Sequence, residues 1–196
     1  MKKQLIAAII AGAAVLGTSL VPAADAAAKT AQTTRASQPA VITLDQKNSF
    51  MISGVHMGMG KGKAEKVLGK PKKLVRLDEE EGYFDLEARY GNFTIYYLEQ
   101  SVQSMDGIIS ASNLKKFLNT YEGPVYTVED NHFALPDGKK TILFVRIEEK
   151  NCAINVLLHD GNFDMAVESG WYPEASKQDV LTALAAKAAA KAKAKK

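Results

Sequence analysis

Residues 58–63 combine three glycines with two lysines, and both residue types suit phosphate binding. A phosphate-binding P-loop needs Gly five residues before its Gly-Lys pair, a position that Val55 occupies here. It also needs Ser or Thr directly after the Lys, whereas Gly62 follows Lys61. We therefore interpret this stretch as the loop that enters a helix.

One cysteine and three histidines are the next candidates for chemistry. The histidines, at positions 56, 132 and 159, lack the short spacings of a preformed metal site. Cys152 and His159 lie on one apolar segment, and seven residues span about 23 Å in a strand. We predict a buried, inert thiol, no catalytic residue, no metal site and no cofactor. An alternative stays open, in which Cys152 is a nucleophile or a His/acid pair is assembled only by folding.

Residues 160–164 place oxygen-bearing side chains two positions apart, as a calcium loop does at its start. Met165 stands where the EF-hand needs Gly, and Trp171 stands where it needs Glu. The pattern therefore predicts a turn after the strand of residues 152–158.

Aromatic residues offer a different kind of site, because tyrosine is enriched at the centres of protein interfaces. The predicted strands carry four tyrosines that could form a protein-contact surface: Tyr83, Tyr96, Tyr97 and Tyr126. The competing interpretation is that these side chains are half-buried in the packing of the sheet.

The elements that must position these residues follow from the periodicity. Residues 63–68 fit a short helix that ends at Gly69-Lys70-Pro71, and strand patterns follow to residue 109. Residues 113–121 fit a second helix, which ends at Glu122-Gly123-Pro124 and again precedes strand patterns. We predict an α+β fold in which a short helix and a three-stranded antiparallel meander occur twice in tandem, over residues 50–110 and 111–172.

The two ends of the chain differ from this α+β domain of residues 49–173. Residues 1–26 have the basic start, apolar run and small-residue site of a signal peptide. Residues 27–48 resemble a flexible spacer, within which 41–44 could add an edge strand. Residues 174–196 form an Ala/Lys-rich tail, helical or disordered, with a capping box at residues 176–179. We expect an extracytoplasmic protein, periplasmic or secreted, without a transmembrane helix after cleavage.

Charge separates the same parts. The domain of residues 49–173 has a net charge of −4, and the tail of residues 174–196 has +4. The lysines of the tail lack the interleaved aromatic residues that stack on bases, so we predict no nucleic-acid partner. Weak contact of the tail with anionic envelope polymers or lipid is the binding role that its charge allows.

Residues 52–71, followed by the strands around Tyr96 and Val102, resemble the domain shared by the outer-membrane-assembly lipoprotein BamE and the beta-lactamase inhibitory proteins. The matching residues are Ile52, Gly54, Val55, Gly58, Met59, Val67, Leu68, Gly69, Lys70 and Pro71. The resemblance is best over residues 50–110. It implies an extracytoplasmic domain that binds other proteins and catalyses nothing.

Length and composition limit the function further. A chain of 196 residues with one Cys excludes a multidomain enzyme, a polytopic membrane protein, a disulfide-stapled miniprotein and a zinc ribbon. The leading hypothesis is a non-catalytic protein-binding or structural module of the bacterial cell envelope, with a protein partner there. The alternatives are a small secreted hydrolase that uses Cys152 or a His/acid pair, and a carrier of a small ligand.

Overall fold

The computed structural model describes residues 40–45, 49–77, 83–138, 140–149 and 151–193. The predicted signal peptide, the first part of the predicted spacer and the last three residues of the tail lie outside this description. Among the described residues, no helix is long and apolar enough to cross a membrane.

Twelve strands and four helices make up the described part of the chain. The strands are β1 (Ile42–Leu44), β2 (Phe50–Ile52), β3 (Val55–His56), β4 (Lys73–Arg76), β5 (Leu86–Arg89), β6 (Phe93–Leu98), β7 (Ser101–Ser110), β8 (Val125–Glu129), β9 (His132–Pro136), β10 (Thr141–Ile147), β11 (Asn151–Leu158) and β12 (Glu174–Ala175). The helices are α1 (Lys61–Leu68), α2 (Ala111–Thr120), α3 (Gly161–Glu168) and α4 (Lys177–Lys193).

A nine-stranded antiparallel sheet is the main feature, with the strand order β12-β8-β9-β10-β11-β7-β6-β5-β4. Strands β7 and β11 pair at its centre, with Asn155 opposite Asp106 and Cys152 opposite Ile109. A second, three-stranded sheet consists of β1, β2 and β3. The Ile42 N–H of β1 donates a hydrogen bond to Asn113 Oδ1 of α2 at 3.1 Å, which ties the small sheet to the helical layer.

One side of the large sheet packs against α1, α2, α4 and the small sheet, and we call it the covered face. It is defined by the buried residues Tyr97, Met105, Ile109, Cys152 and Ile154, which belong to one hydrophobic cluster. The cluster also contains buried residues from each covering helix: Ala64 and Leu68 of α1, Leu114, Phe117 and Leu118 of α2, and Val180 and Leu184 of α4. In each helix the later buried residues lie three or four positions after the first, so they form one apolar stripe, and this stripe packs against the covered face.

Gly107 permits close packing on the covered face. A Cβ atom at this position would lie 2.9 Å from Phe93 Cβ and 3.5 Å from Ile154 Cγ1. The distance to Phe93 is shorter than real Cβ atoms adopt, so Gly107 allows the Phe93 side chain of β6 to pack closely against β7, whereas the distance to Ile154 is an ordinary contact.

The opposite side of the large sheet is covered only in part. Helix α3 packs there through Phe163, which contacts the rings of Tyr126 and Phe144. These residues form a second, smaller hydrophobic cluster with Ala134 and Ile142. Helix α3 therefore covers the β8–β10 end of this side.

The predicted fold class, α+β with a helix and a three-stranded meander repeated twice, is wrong. The described residues are mostly antiparallel β-structure, with 42% in strands and 29% in helices. Its strands merge into one nine-stranded sheet beside a separate three-stranded sheet, which the prediction lacked. Strand β4 was missed because its four residues are mostly exposed and show no apolar alternation.

Helix α3 also corrects the sequence interpretation, which placed a turn at residues 160–164. Asp160 is the N-cap of the helix, and its Oδ1 accepts a hydrogen bond from the Phe163 N–H at 3.2 Å. Hydrogen bonds from the Asn162 side chain and from the Phe163 N–H lower the pKa of Asp160. The Asp160 carboxylate, which resembled a calcium ligand in the sequence, therefore caps the N-terminus of α3.

The two ends of the described chain contribute to the core. Strand β1 lies within the stretch assigned to the spacer, and Ala40 and Ile42 are buried. At the other end, the Ser176 hydroxyl accepts from the Asp179 N–H at 3.2 Å, and Asp179 Oδ2 accepts from the Ser176 N–H at 2.7 Å. This reciprocal cap begins α4, as the capping-box pattern predicted.

Candidate binding face of the large sheet

The part of the large sheet that α3 leaves uncovered carries the candidate site, which we call the open face. It is defined by Tyr96 on β6, by Ser104, Asp106 and Ile108 on β7, and by Ala153, Asn155 and Leu157 on β11. Successive side chains of a strand point to opposite sides of the sheet, so residues that are opposite each other in register share a face. The pairs Asn155–Asp106, Leu157–Ser104 and Tyr96–Ser104 are such neighbours.

A hydrogen-bonded polar group lies at the centre of the open face. Asn155 Nδ2 donates to the Asp106 carboxylate, and the same nitrogen lies 3.4 Å from Ser104 Oγ. Tyr96 flanks this group: burial raises the pKa of Tyr96, and the charge of Asp106 raises it further. Tyr96 therefore remains a neutral hydroxyl at neutral pH.

Two arginines near the open face have carboxylate partners. Arg89 Nε pairs with the Glu87 carboxylate on β5. Arg146 of β10 lies 3.4 Å from Glu148. Asp106, in contrast, has no Lys, Arg or His of the described residues within salt-bridge distance. Its carboxylate is thus stabilised by hydrogen bonds and not by a cation.

Apolar side chains surround this polar centre. Ile108 is 46% exposed and Leu157 is 36% exposed, although both lie in the middle of the sheet. A shallow cavity of about 480 Å³ adjoins Asp106 and Asn155 and is also lined by His132, Phe144 and Arg146. Burial lowers the pKa of His132, which keeps this imidazole neutral at neutral pH.

The structure separates the four tyrosines that were predicted to form one contact surface. Tyr83 is 75% exposed, and Tyr96 is partly exposed on the open face. Tyr97 is fully buried on the covered face, because it is the next residue of the same strand and points to the other side. Its side chain is part of the core and is not available to a partner. Tyr126 is partly buried and packs edge-on against Phe163 of α3, with 5.7 Å between ring centroids.

Phe84 connects the two accessible tyrosines, and the sequence interpretation did not include it in the site. Its ring lies 5.7 Å from that of Tyr83 and 5.2 Å from that of Tyr96. The three rings form a continuous aromatic strip that reaches the open face. The sequence pattern of this segment indicates a strand, and it carries no information about which rings Phe84 contacts.

Folding does not bring Cys152 and His159 together, but it does place His159 beside an acidic residue. Cys152 is fully buried on the covered face, and burial raises the pKa of its thiol to about 11. A thiol with that pKa is almost entirely protonated at neutral pH, which disfavours nucleophilic attack. His159 lies at the far end of β11, where its Nε2 is 3.3 Å from Asp164 Oδ1 of α3. This His/acid pair packs against the Phe163 ring, with 5.3 Å between the His159 and Phe163 ring centroids.

The glycine-rich stretch takes the helix-entry role. Gly60 is the residue before α1, and the Lys61 N–H donates to the Gln100 carbonyl in the β6–β7 turn at 2.8 Å. A cavity of about 710 Å³ lies nearby, lined by Phe50, His56 and Thr141 among others. In the described part of the chain, no three His, Cys, Asp or Glu side chains are grouped so that they could hold a metal ion.

The geometry thus singles out one surface with a polar centre, an apolar surround and an aromatic strip. Neither the protein-family models, nor the curated proteins, nor the solved structures provide a match to this chain.

Proposed function

We propose that this chain is a non-catalytic protein-binding module and that the open face is its binding surface. The observation that carries the proposal is the exposure of Ile108 and Leu157 in the two central strands of the sheet. Central strands normally bury their apolar side chains, and exposed apolar groups around a polar centre are typical of interaction surfaces.

The cell envelope is the proposed location of the partner. The sequence supports it through the signal-peptide pattern of residues 1–26. The resemblance of residues 52–71 to BamE and the beta-lactamase inhibitory proteins supports the same compartment and a binding role. The buried, protonated thiol of Cys152 disfavours the rival proposal of a cysteine hydrolase.

Site-specific crosslinking in the cells that produce the protein tests the binding surface. A photoreactive amino acid replaces Leu157 in one variant and Leu74 in the control. Both are exposed leucines on strands of the large sheet, but Leu74 pairs with the buried Ala88 and so points to the opposite side. We expect a discrete crosslinked protein from position 157 and none from position 74.

The outcome can also contradict the proposal. If position 157 gives no crosslink, or if both positions give the same products, the open face is not a specific binding surface. A photoreactive residue at position 108 repeats the test on the neighbouring central strand.

The C-terminal helix supports a second, weaker contact. Among the side chains of this helix that the structure describes, Leu184 is the last buried one, and α4 continues to Lys193 through exposed alanines. We propose that the lysines of this extension make weak contact with anionic envelope polymers or lipid. Deletion of residues 185–196 should then lower retention on isolated envelopes at low salt, and equal retention would contradict the contact.

A further inference from the structure

We propose that the partner of the open face is a polypeptide that inserts an Arg or Lys side chain beside Asp106. This inference rests on the proposed function and adds the chemistry of the group that is recognised. It follows from three features of the open face: the charge at its centre, the apolar side chains around it, and the aromatic ring next to it.

The charge argument concerns the Asp106 carboxylate. Glu87 and Glu148 have arginine partners, whereas Asp106 forms no ion pair with any described residue. Arg146 lines the same cavity as Asp106, but its guanidinium is paired with Glu148. An anion that is held in place by Asn155 and lacks a cation is complementary to a basic side chain. Such a pair becomes stronger when the partner excludes water, because the local dielectric constant falls.

The apolar surround fits the shape of the same side chain. Ile108 lies two residues beyond Asp106 on β7, and Leu157 lies two residues beyond Asn155 on β11. Lys and Arg bury their methylene stems on apolar surface while the charged head reaches a polar group. A basic side chain that lies across Ile108 or Leu157 can therefore place its head at Asp106.

The ring of Tyr96 adds a third contribution. Tyr96 lies diagonally across from Asp106 on the same face, and an aromatic ring in this position attracts a guanidinium or ammonium group. A small anion or an acidic peptide would instead meet the carboxylate of Asp106 at the same place. The site therefore discriminates by charge, and it selects cationic side chains.

A displayed library of random peptides is a suitable probe, because it offers all side chains without a known partner. The immobilised full chain is panned, and the enriched peptides are eluted in competition with soluble wild-type chain. We expect Arg or Lys to recur at one position of the enriched peptides, next to an aromatic or aliphatic residue. A synthetic peptide with the consensus sequence should bind the D106N variant about tenfold more weakly than the wild type.

The D130N variant is the matched control, since Asp130 is an exposed aspartate in the β8–β9 turn. It makes the same change of charge away from the open face and should bind like the wild type. If D106N does not fold, the second measurement uses the wild type alone. Citrulline or norleucine then replaces the basic residue of the peptide, and the same tenfold loss is expected.

The outcomes distinguish the two proposals. Peptides that bind the open face, as shown by loss of binding in Tyr96→Ala, but that carry no recurrent basic residue overturn the inference and leave the proposed function standing. A basic consensus that binds D106N and wild type equally also overturns it. If no peptide binding depends on the open face, the proposed function itself fails.

Discussion

The two faces of the large sheet are built by the same strands and differ in what they do with their side chains. On the covered face, Met105, Ile109 and Ile154 are buried under helices and a second sheet. On the open face, the alternate positions carry Asp106, Ile108 and Asn155, which are exposed or partly exposed. The side chains of the covered face belong to the hydrophobic core, whereas the open face leaves apolar side chains such as Ile108 exposed.

The largest expected effect is a difference in the free energy of unfolding between variants of two neighbouring tyrosines on β6. Tyr97→Ser removes a fully buried ring from the covered face and should lower the free energy of unfolding by about 3–5 kcal/mol. Tyr96→Ser removes a partly exposed ring from the open face and should cost about 1 kcal/mol or less. Urea unfolding of both variants measures the difference. Equal losses would show that the two faces contribute alike to stability.

Alkaline pH provides a second way to probe the covered face. Burial raises the pKa of Cys152 from 9.0 to about 11, so the thiol ionises in the unfolded chain before it does in the folded one. The free energy of unfolding should therefore fall as the pH rises from about 9 to about 11, by about 2 kcal/mol from this group.

The Cys152→Ala variant is the control for this pH dependence. Its unfolding free energy should fall less steeply over the same range, because the buried tyrosines contribute equally to both proteins. Identical slopes would mean that the thiol is not shielded on the covered face. Denaturant titrations at a series of pH values provide the slopes.

The smallest expected effect concerns exposed leucines. Leu157→Ser on the open face and Leu74→Ser at the sheet edge should each change the free energy of unfolding by no more than about 0.5 kcal/mol. Thermal unfolding followed by circular dichroism is sufficient to measure this. A large loss for Leu157 alone would show that the open face supports the fold, and it would weaken the comparison between the faces.

The sequence was sufficient to predict the elements that have strong local signals. The helix that stops at Gly69 and the cap at Ser176 follow from backbone conformation and side-chain hydrogen bonds within a few residues, such as the φ of 83° at Gly69. The alternation of β6 follows from burial on one side. Each of these signals is local, so the rest of the fold does not need to be known.

The features that could not be predicted depend on distant pairing. Strand β4 consists of exposed residues, and it exists because β5 provides its hydrogen-bonding partners. The placement of Tyr96 and Tyr97 on opposite faces follows from alternation along one strand, whereas the shift in register between β6 and β7 at these residues depends on how the two strands pair. Asp106 was not recognised as part of a site, because Asn155 meets it only through the pairing of β7 with β11.

That central pairing also affects how the molecule is assembled. On the order of forty to fifty residues of chain separate the residues that β7 and β11 bring together, so closing this ladder is entropically costly and slow to form. The strands on either side can form as local hairpins before it does. The polar centre therefore arises only when the two halves of the sheet join, and a chain cut within α2 would carry Asp106 on one piece and Asn155 on the other until the pieces reassociated.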